Sequence, residues 1–415
     1  MNLTEKGLNA LNQARTHFPN GYFSASELSA KCGEKIVAAT LNGVVSKGYM
    51  EKMAGTPVKY CLVDNIEELI ANDTETKGAN NKKLRKAKKE KHDEFYTQYQ
   101  DINNELMNYR KYFKNKSVFC NCNDGLTSNF FRFFLDNFDM LQLTRLVGIS
   151  YAPYSTDHKA VKYEVYDDIN HDGYITEDDI VATELEGDGS FASDESMAEL
   201  EKCDIVCTNP PFSAFREYMT ILFNSHKKYL VLGNNNAITY KDIFPKIRDN
   251  ELWLGCISNK TLNFFMPDDY ESDVVDKDGR KIGKVPAISW FTNIPTPRRE
   301  EPLILTATYY DDVNRKEEYP KYDNYDAIEV GRVVNIPNDY MGVMGVPITF
   351  LDKYCPEQFK IIGGFNGYKE CDYENGLLCG SNTPYIDKKS GAEKIWTGPT
   401  VNKEAKYYRL LIQRV

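Results

Sequence analysis

The chain has 415 residues, room for two or three domains, and its 41% hydrophobic and 27% charged shares suit a soluble protein with real cores. No run of about 18 apolar residues occurs, and the amphipathic start "MNLTEKGLNALNQ" lacks an apolar signal core, so a cytoplasmic protein without a membrane span is expected. The net charge of −10 argues against a uniformly basic nucleic-acid binder, while ten cysteines without paired CxxC knuckles argue against zinc and for reduced, mostly buried thiols.

Residues 1–64 read as one small module. In "LTEKGLNALNQARTHF", Leu3, Leu8, Leu11, Ala14 and Phe18 fall near one helical face. Ser24 or Ser26 can cap a second helix that ends near Gly33. "EKIVAATLNGVVSKGYM" predicts a third helix, with Ile36, Val37, Ala39, Val44 and Val45 available for burial and a stop at Gly48. "YMEKMAGTPVKYCLV" reads as two strands joined by a Gly-Thr-Pro turn. The pattern resembles winged helix-turn-helix DNA-binding domains, whose recognition helix enters the major groove. A module that binds protein, or only packs on the main body, shares the same pattern.

Residues 65–92 are polar and end in a basic run, with Lys82, Lys83, Arg85, Lys86, Lys88 and Lys89. By itself such a run is a solvated linker or helix face. A local basic patch can still grip phosphate on an acidic protein, because screening limits distant charge to about 8–10 Å.

From residue 93 the pattern alternates. "DINNELMNYRKYF", "SNFFRFFLDNF", "FSAFREYMTILFNS" and "TYKDIFPKIRDN" predict helices; "KSVFCNCND", "LTRLVGISYA", "CDIVCTN", "KKYLVLGNN" and "AISWFTNI" predict strands. The alternation predicts a parallel α/β sheet wrapped by helices, with ligands at the carboxyl ends of its strands. Residues 93–297 form this body, and residues 298–415 are its C-terminal part together with an expected target-recognition region.

"DIVCT" ends in Asn209, Pro210, Pro211 and Phe212. The prolines fix their φ angles and remove two donors, so the carbonyls of this loop are held as acceptors. The Asn209 side-chain oxygen and the Pro210 carbonyl together suit the two hydrogens of an exocyclic amine. An amine held that way favours a pyramidal nitrogen with an available lone pair. Phe212 offers a face for a flat base. A structural strand-to-helix turn is the plainer alternative.

This tetrapeptide is the motif of amino-methyltransferases that use S-adenosylmethionine. From about Leu84 to Val415 the chain resembles the EcoRI-type adenine-specific DNA methyltransferase family. The segments that carry it are "LRKAKKEKHDEFYTQYQDI", "VFCNCND" before "SNFFRFF", "DIVCTNPPFSAFREY", "GNNNAITYKDIFP", "LWLG", "WFTN", "EYPKYDNYDAIEV" and "DYMGVMGVPITFLDKYCPEQF". The resemblance implies a Rossmann-like methyltransferase sheet with helices on both faces, S-adenosylmethionine as cofactor and double-stranded DNA as partner. It matches Phe95, Tyr96 and Thr97 to the segment beside the methionine part of the cofactor. It matches Asn121, Asn123 and Asp124 to the first cofactor loop, where only Gly125 is nearby and an unusual loop is implied. Asp188, Ser190 and Phe191 match the segment beside the cofactor adenine. The family usually has an acidic residue where this chain has Ser190, so Asp188 is the candidate carboxylate. Asn209 belongs to the cofactor side as well as to the chemistry.

Trp290 and Phe291 match a strand near the target pocket and are candidate walls for an extruded base, beside Phe212. In the family's context the Lys82–Lys91 run turns from linker towards phosphate contact. Candidate DNA-contacting loops between Arg298 and Cys379 are "RR", "KYDNYD" and "GFNGY". A monomer or weak dimer is expected, and a cognate restriction endonuclease is a possible partner.

"DINHDGYITEDD" follows the spacing of a calcium loop, with oxygens from Asp168, Asn170 and Asp172, a carbonyl from Tyr174 and closure by Asp179. An acidic loop with no metal is the alternative, and no catalytic metal is expected. Two rival functions fit the same residues. One is a methyltransferase acting on an RNA base or a protein glutamine. The other is a DNA-binding regulator with a degenerate methyltransferase body.

Overall fold

The computed structural model describes residues 5–18, 22–33, 35–45, 50–53, 58–62, 96–122, 126–152, 159–266, 274–276, 279–310, 319–368 and 370–415. Phe95, Asn123, Asp124 and the lysine run around Arg85 lie outside these residues. The chain divides into two compact units, Met1–Glu90 and Lys91–Val415.

The first unit holds helices α1 (Glu5–His17), α2 (Ala25–Cys32) and α3 (Ala38–Val45), then strands β1 (Met50–Met53) and β2 (Lys59–Leu62). Ser24 caps α2 through a capping box with Glu27, and Gly33 closes it in the left-handed conformation. The strands pair antiparallel, Met50 with Leu62, and Phe23 bridges to Tyr60. Leu11, Ala14, Phe23, Leu28, Ile36, Leu41, Val44 and Tyr60 form the core. Val37 and Ala39, expected inside, are exposed instead. The reason is that Val37 precedes α3, and Ala39 lies about 200° around the helix from the buried Leu41.

The second unit is built on a ten-stranded mixed sheet. Its strands are β3 (Tyr96–Thr97), β4 (Ser117–Cys120), β5 (Arg145–Ile149), β6 (Val161–Val165), β7 (Val181–Glu184), β8 (Ile205–Thr208), β9 (Lys228–Asn234), β10 (Trp253–Leu254), β11 (Lys260–Phe265) and β12 (Ile282–Thr292). The order is β3-β11-β12-β9-β8-β4-β5-β6-β7, with β10 also on β12. Among the described residues only the inner four, β9-β8-β4-β5, are parallel. The flanking strands are antiparallel, which corrects the expectation of a parallel sheet. Parallel neighbours need a crossover, and no helix of the described residues separates β5 from β6, or β11 from β12.

Helices cover both faces of this sheet. Adjacent residues of a strand point to opposite sides. Trp290 of β12 meets Phe130 of α5 (Asn129–Asp136), ring centroids 5.7 Å apart, while its neighbour Phe291 meets Phe215 of α7 (Phe215–Ser225) at 5.2 Å. Helix α4 (Tyr99–Leu106) precedes α5, and α6 (Asp194–Lys202) stands between α5 and α7. Helix α8 (Phe244–Arg248) follows β9.

The remaining chain adds a five-stranded sheet from β13 (Ile328–Glu329), β14 (Met344–Val346), β15 (Phe359–Phe365), β16 (Leu377–Leu378) and β21 (Arg409–Arg414), in the order β13-β14-β21-β15-β16. Two small hairpins precede β21, β17 (Thr383–Ile386) with β18 (Glu393–Trp396), and β19 (Thr400–Val401) with β20 (Glu404–Ala405). Cys371 and Cys379 form a disulfide with Cα atoms 5.8 Å apart, a correction to the expectation that the thiols are reduced. The turn Tyr373–Gly376 brings these two cysteines side by side, which their spacing alone did not reveal.

Candidate active site

Strand order reverses between β4 and β8. The chain leaves β4 for β5 on one side and returns to β8 on the other. Such a switch point opens a crevice at the carboxyl ends of the strands. Asn121 follows β4 and Asn209 follows β8, so both stand at that crevice. The Thr208 hydroxyl donates to the Asn121 carbonyl and ties the two strand ends together.

Asn209 and Pro210 are buried, while Pro211 and Phe212 are half-buried and Ser213 is exposed. The Pro211 carbonyl accepts from Ala214 N–H at 3.0 Å, which turns the chain into α7. The tetrapeptide therefore runs from the buried end of β8 towards the surface. The Phe212 ring stands edge-on to Phe264 of β11, centroids 6.1 Å apart at 89°. Phe264 also pairs with Thr97 across β11 and β3.

Asn121 is 3% exposed, and its side-chain oxygen accepts from the Tyr218 hydroxyl of α7. The next residue, Cys122, takes φ +75°, a left-handed conformation in a non-glycine residue. This is how the loop turns where many methyltransferases have glycine, and such strain gathers at functional sites. Asn129, at the far side of the loop, donates to the Thr97 carbonyl at 2.7 Å. Thr97 is buried, and its hydroxyl has no hydrogen-bond partner among the described residues. A buried hydroxyl in that state calls for a polar ligand atom.

The third piece is the loop at residues 186–191. Asp188 accepts from Ser190 N–H at 2.9 Å, and its carbonyl accepts from Ala152 N–H at 2.9 Å, just past β5. Glu195 holds the loop from behind, through Glu186 N–H and Gly187 N–H. Gly189 has φ +70°, and a side chain there would press on the Ser150 carbonyl. Phe191 meets the Tyr218 ring edge-on at 5.2 Å.

A chain of contacts links the expected residues: Asn129 to Thr97, Thr97 to Phe264 and Phe264 to Phe212, then Thr208 to Asn121, and Asn121 through Tyr218 to Phe191. Thr208, Tyr218, Phe264 and Asn129 supply these links, and sequence reading missed all four. Tyr218 had a weak signal, since it lies three residues after Phe215 on the buried face of a helix. Phe264 had none. Burial pushes the Tyr218 hydroxyl far above its ordinary pKa, so it stays a neutral donor to Asn121.

Other expected site residues lie elsewhere. Trp290 and Phe291 are 1% and 0% exposed and packed by Phe130 and Phe215, so they are core rings and not pocket walls. The three expected DNA loops are divided between surface and interior: Arg298, Lys321, Asp323 and Asp326 are exposed, while other members are engaged within the protein. Arg299 stacks on Trp253 at 4.2 Å and bonds Asn250. Tyr322 is buried against Glu329, and Asn324 donates to the Gly398 carbonyl. Phe365 is fully buried.

The calcium-like loop also uses its closing carboxylate internally. Asp179 accepts from the N–H groups of Ile169 and Thr176, both at 2.8 Å, and is buried. Among the described residues no group of three or more His, Cys, Asp or Glu is placed to hold a metal ion.

The family model described as adenine-specific methyltransferase EcoRI matches residues 83–415. The chain belongs to this family. The EcoRI methyltransferase family accounts for the whole second unit, including the crevice. Among curated relatives, the type II methyltransferase M.EcoRI of Escherichia coli is 44% identical over 313 residues, 73% of this chain and 95% of that protein. The type II methyltransferase M.MpnI of Mycoplasma pneumoniae is 41% identical over 284 residues, 67% of this chain and 84% of that protein. No solved structure matches. As a family member, the chain is an adenine-specific methyltransferase. Among the described residues no helix is long and apolar enough to cross a membrane.

Proposed function

We propose that this methyltransferase acts on double-stranded DNA, at the exocyclic amine of an adenine swung out of the duplex. The observation that carries the reading is the position of Asn209–Phe212 at the strand-order switch, beside Asn121. S-adenosylmethionine, when bound, supplies a methyl group on a sulfonium sulfur. Thr97, with its buried hydroxyl, fits a polar atom of that cofactor, and Tyr96 flanks it. Asn121 lies at the start of the first loop, and Asp188, Ser190 and Phe191 lie in the loop at residues 186–191, which agrees with a Rossmann-like methyltransferase plan.

The work of the protein here is positional. Asn209 and the Pro210 carbonyl accept the two amine hydrogens and turn the lone pair outward. Phe212, braced by Phe264, stacks on the base and offsets an unpairing cost of a few kcal/mol. Holding the reactants in line supplies most of the acceleration. The proton passes to water after transfer, so no histidine is needed.

The N-terminal unit reads as a winged helix-turn-helix, given three helices and an antiparallel hairpin in that order. Its role is to add duplex contacts through α3, and the lysine run from Lys82 to Lys89 adds phosphate contacts.

The test is incubation with labelled cofactor and mixed-sequence duplex, followed by base-resolved mapping. Wild type should place methyl groups on adenine within one short motif. Asn209→Ala should lose nearly all transfer while keeping its fold. Modification of RNA or protein glutamine, with duplex left untouched, would overturn the DNA assignment.

A further inference from the structure

Beside the partly exposed loops at Arg298 and Lys321, another element is open to the substrate. We propose that the hairpin β17–β18 enters the major groove of the duplex, with its lysines on phosphate and its isoleucines against base edges. This rests on the DNA reading above.

The register pairs Pro384 with Ile395 and Ile386 with Glu393, so these four share one face. All four are exposed, with Ile386 at 44% and Ile395 at 69%. The opposite face carries Tyr385 and Trp396, ring centroids 5.9 Å apart and partly covered. One side of the ribbon is therefore anchored, and the other is bare and carries three apolar side chains beside Glu393. A two-stranded ribbon fits the width of the major groove, where apolar side chains read thymine methyl groups.

Charge agrees with an anionic partner. Residues 383–406 carry five lysines against three carboxylates, in a chain whose net charge is −10. Lys394 is paired with Asp387 at 2.8 Å, and Glu404 lies near both Lys388 and Lys406. Lys389 and Lys403 have no ion-pair partner among the described residues, and Lys388 and Lys389 stand at the turn.

Placement agrees as well. Phe244 opens α8 just after the carboxyl end of β9, and Arg248 closes it toward the other end. Residues Phe359–Ile362 of β15 lie by Arg248 and Asn250, whereas Gly364 lies against Phe244. Strand β15 thus runs toward the carboxyl end of the main sheet. Gly367, just past it, is covered by the Trp396 indole. The hairpin stands at the same end of the sheet as Asn209.

The experiment compares full-length wild type with two double variants, Lys388→Ala with Lys389→Ala, and Ile386→Ala with Ile395→Ala. Each is titrated with labelled mixed-sequence duplex at several salt concentrations and assayed for methylation pattern. The lysine pair should lower the salt slope by up to about two, one for each phosphate no longer neutralised. The isoleucine pair should leave the slope unchanged, lower kcat/KM on the preferred sequence about tenfold or more, and relax discrimination at one or two base positions. Unchanged salt slope and unchanged sequence preference in both variants would overturn the proposal. So would a changed oligomeric mass with unaltered duplex binding, which would make the hairpin a protein contact. Calorimetric binding of S-adenosylmethionine checks that each variant is folded. Failure of wild type itself to modify duplex would defeat the underlying DNA reading instead.

Discussion

The Thr208 hydroxyl is hydrogen-bonded to the Asn121 carbonyl, so the strand that ends in Asn209–Phe212 is fastened to the strand that ends in Asn121. Both residues are buried. Thr208→Val keeps the shape and removes the donor, leaving a buried carbonyl without it. The expected cost is about 1–3 kcal/mol of stability. The loss should also weaken S-adenosylmethionine binding. Urea unfolding and calorimetry on the same preparation check both effects, and an unchanged cofactor affinity would uncouple the two strand ends.

Phe212 is half-buried and braced edge-on by Phe264. Stacking of one base on an aromatic ring contributes about 1–3 kcal/mol. Phe212→Leu should therefore reduce kcat/KM for duplex by roughly tenfold to a hundredfold, whereas Phe212→Tyr should stay close to wild type. A fluorescent adenine analogue at the target position reports extrusion directly. Equal extrusion by the leucine variant would remove the stacking role.

Gly189 has two reasons to be glycine, its φ of +70° and the Ser150 carbonyl beside its Cα. Gly189→Ala should push the Asp188–Phe191 loop off the end of β5. Cofactor affinity should drop by tenfold or more, with smaller loss in duplex affinity. Calorimetry with each ligand separates the two, and an alanine variant that binds cofactor normally would place the adenine contact elsewhere.

Glu105 is fully buried in α4 and accepts from Tyr109, Cys256 N–H and Ile257 N–H. Burial pushes its carboxyl up to about 7, against the pull of these three donors and of Arg298. A carboxyl with a raised folded pKa binds its proton better when folded. Its contribution is complete below the unfolded value of about 4.5 and is lost as pH rises through 7. Wild type should therefore lose stability between pH 5 and 8 relative to Glu105→Gln, whose own profile should be flatter although lower throughout. Parallel slopes in urea titrations across that range would show that Glu105 is already ionised.

What could be read directly were features written in neighbouring residues. The strand ending in Asn209, Pro210, Pro211 and Phe212 was visible because an apolar run stops at residues that rigidify a turn. Ser24 and Gly33 marked the ends of α2 because capping is a local reaction of backbone with side chain. The motif order along residues 83–415 carried the family for the same reason.

Tertiary structure decided everything that depends on which distant segments meet. Trp290 and Phe291 have the chemistry of a base pocket, yet Phe130 and Phe215 claim them as core. Phe264 became a brace for Phe212 only because β11 returns beside β3. Arg299 and Tyr322 looked free for DNA until Trp253 and Glu329 took them. An aromatic or charged side chain has the same local pattern whether it faces a ligand or a neighbour. The partner that wins is set by strand order, and strand order is a long-range property that periodicity does not encode.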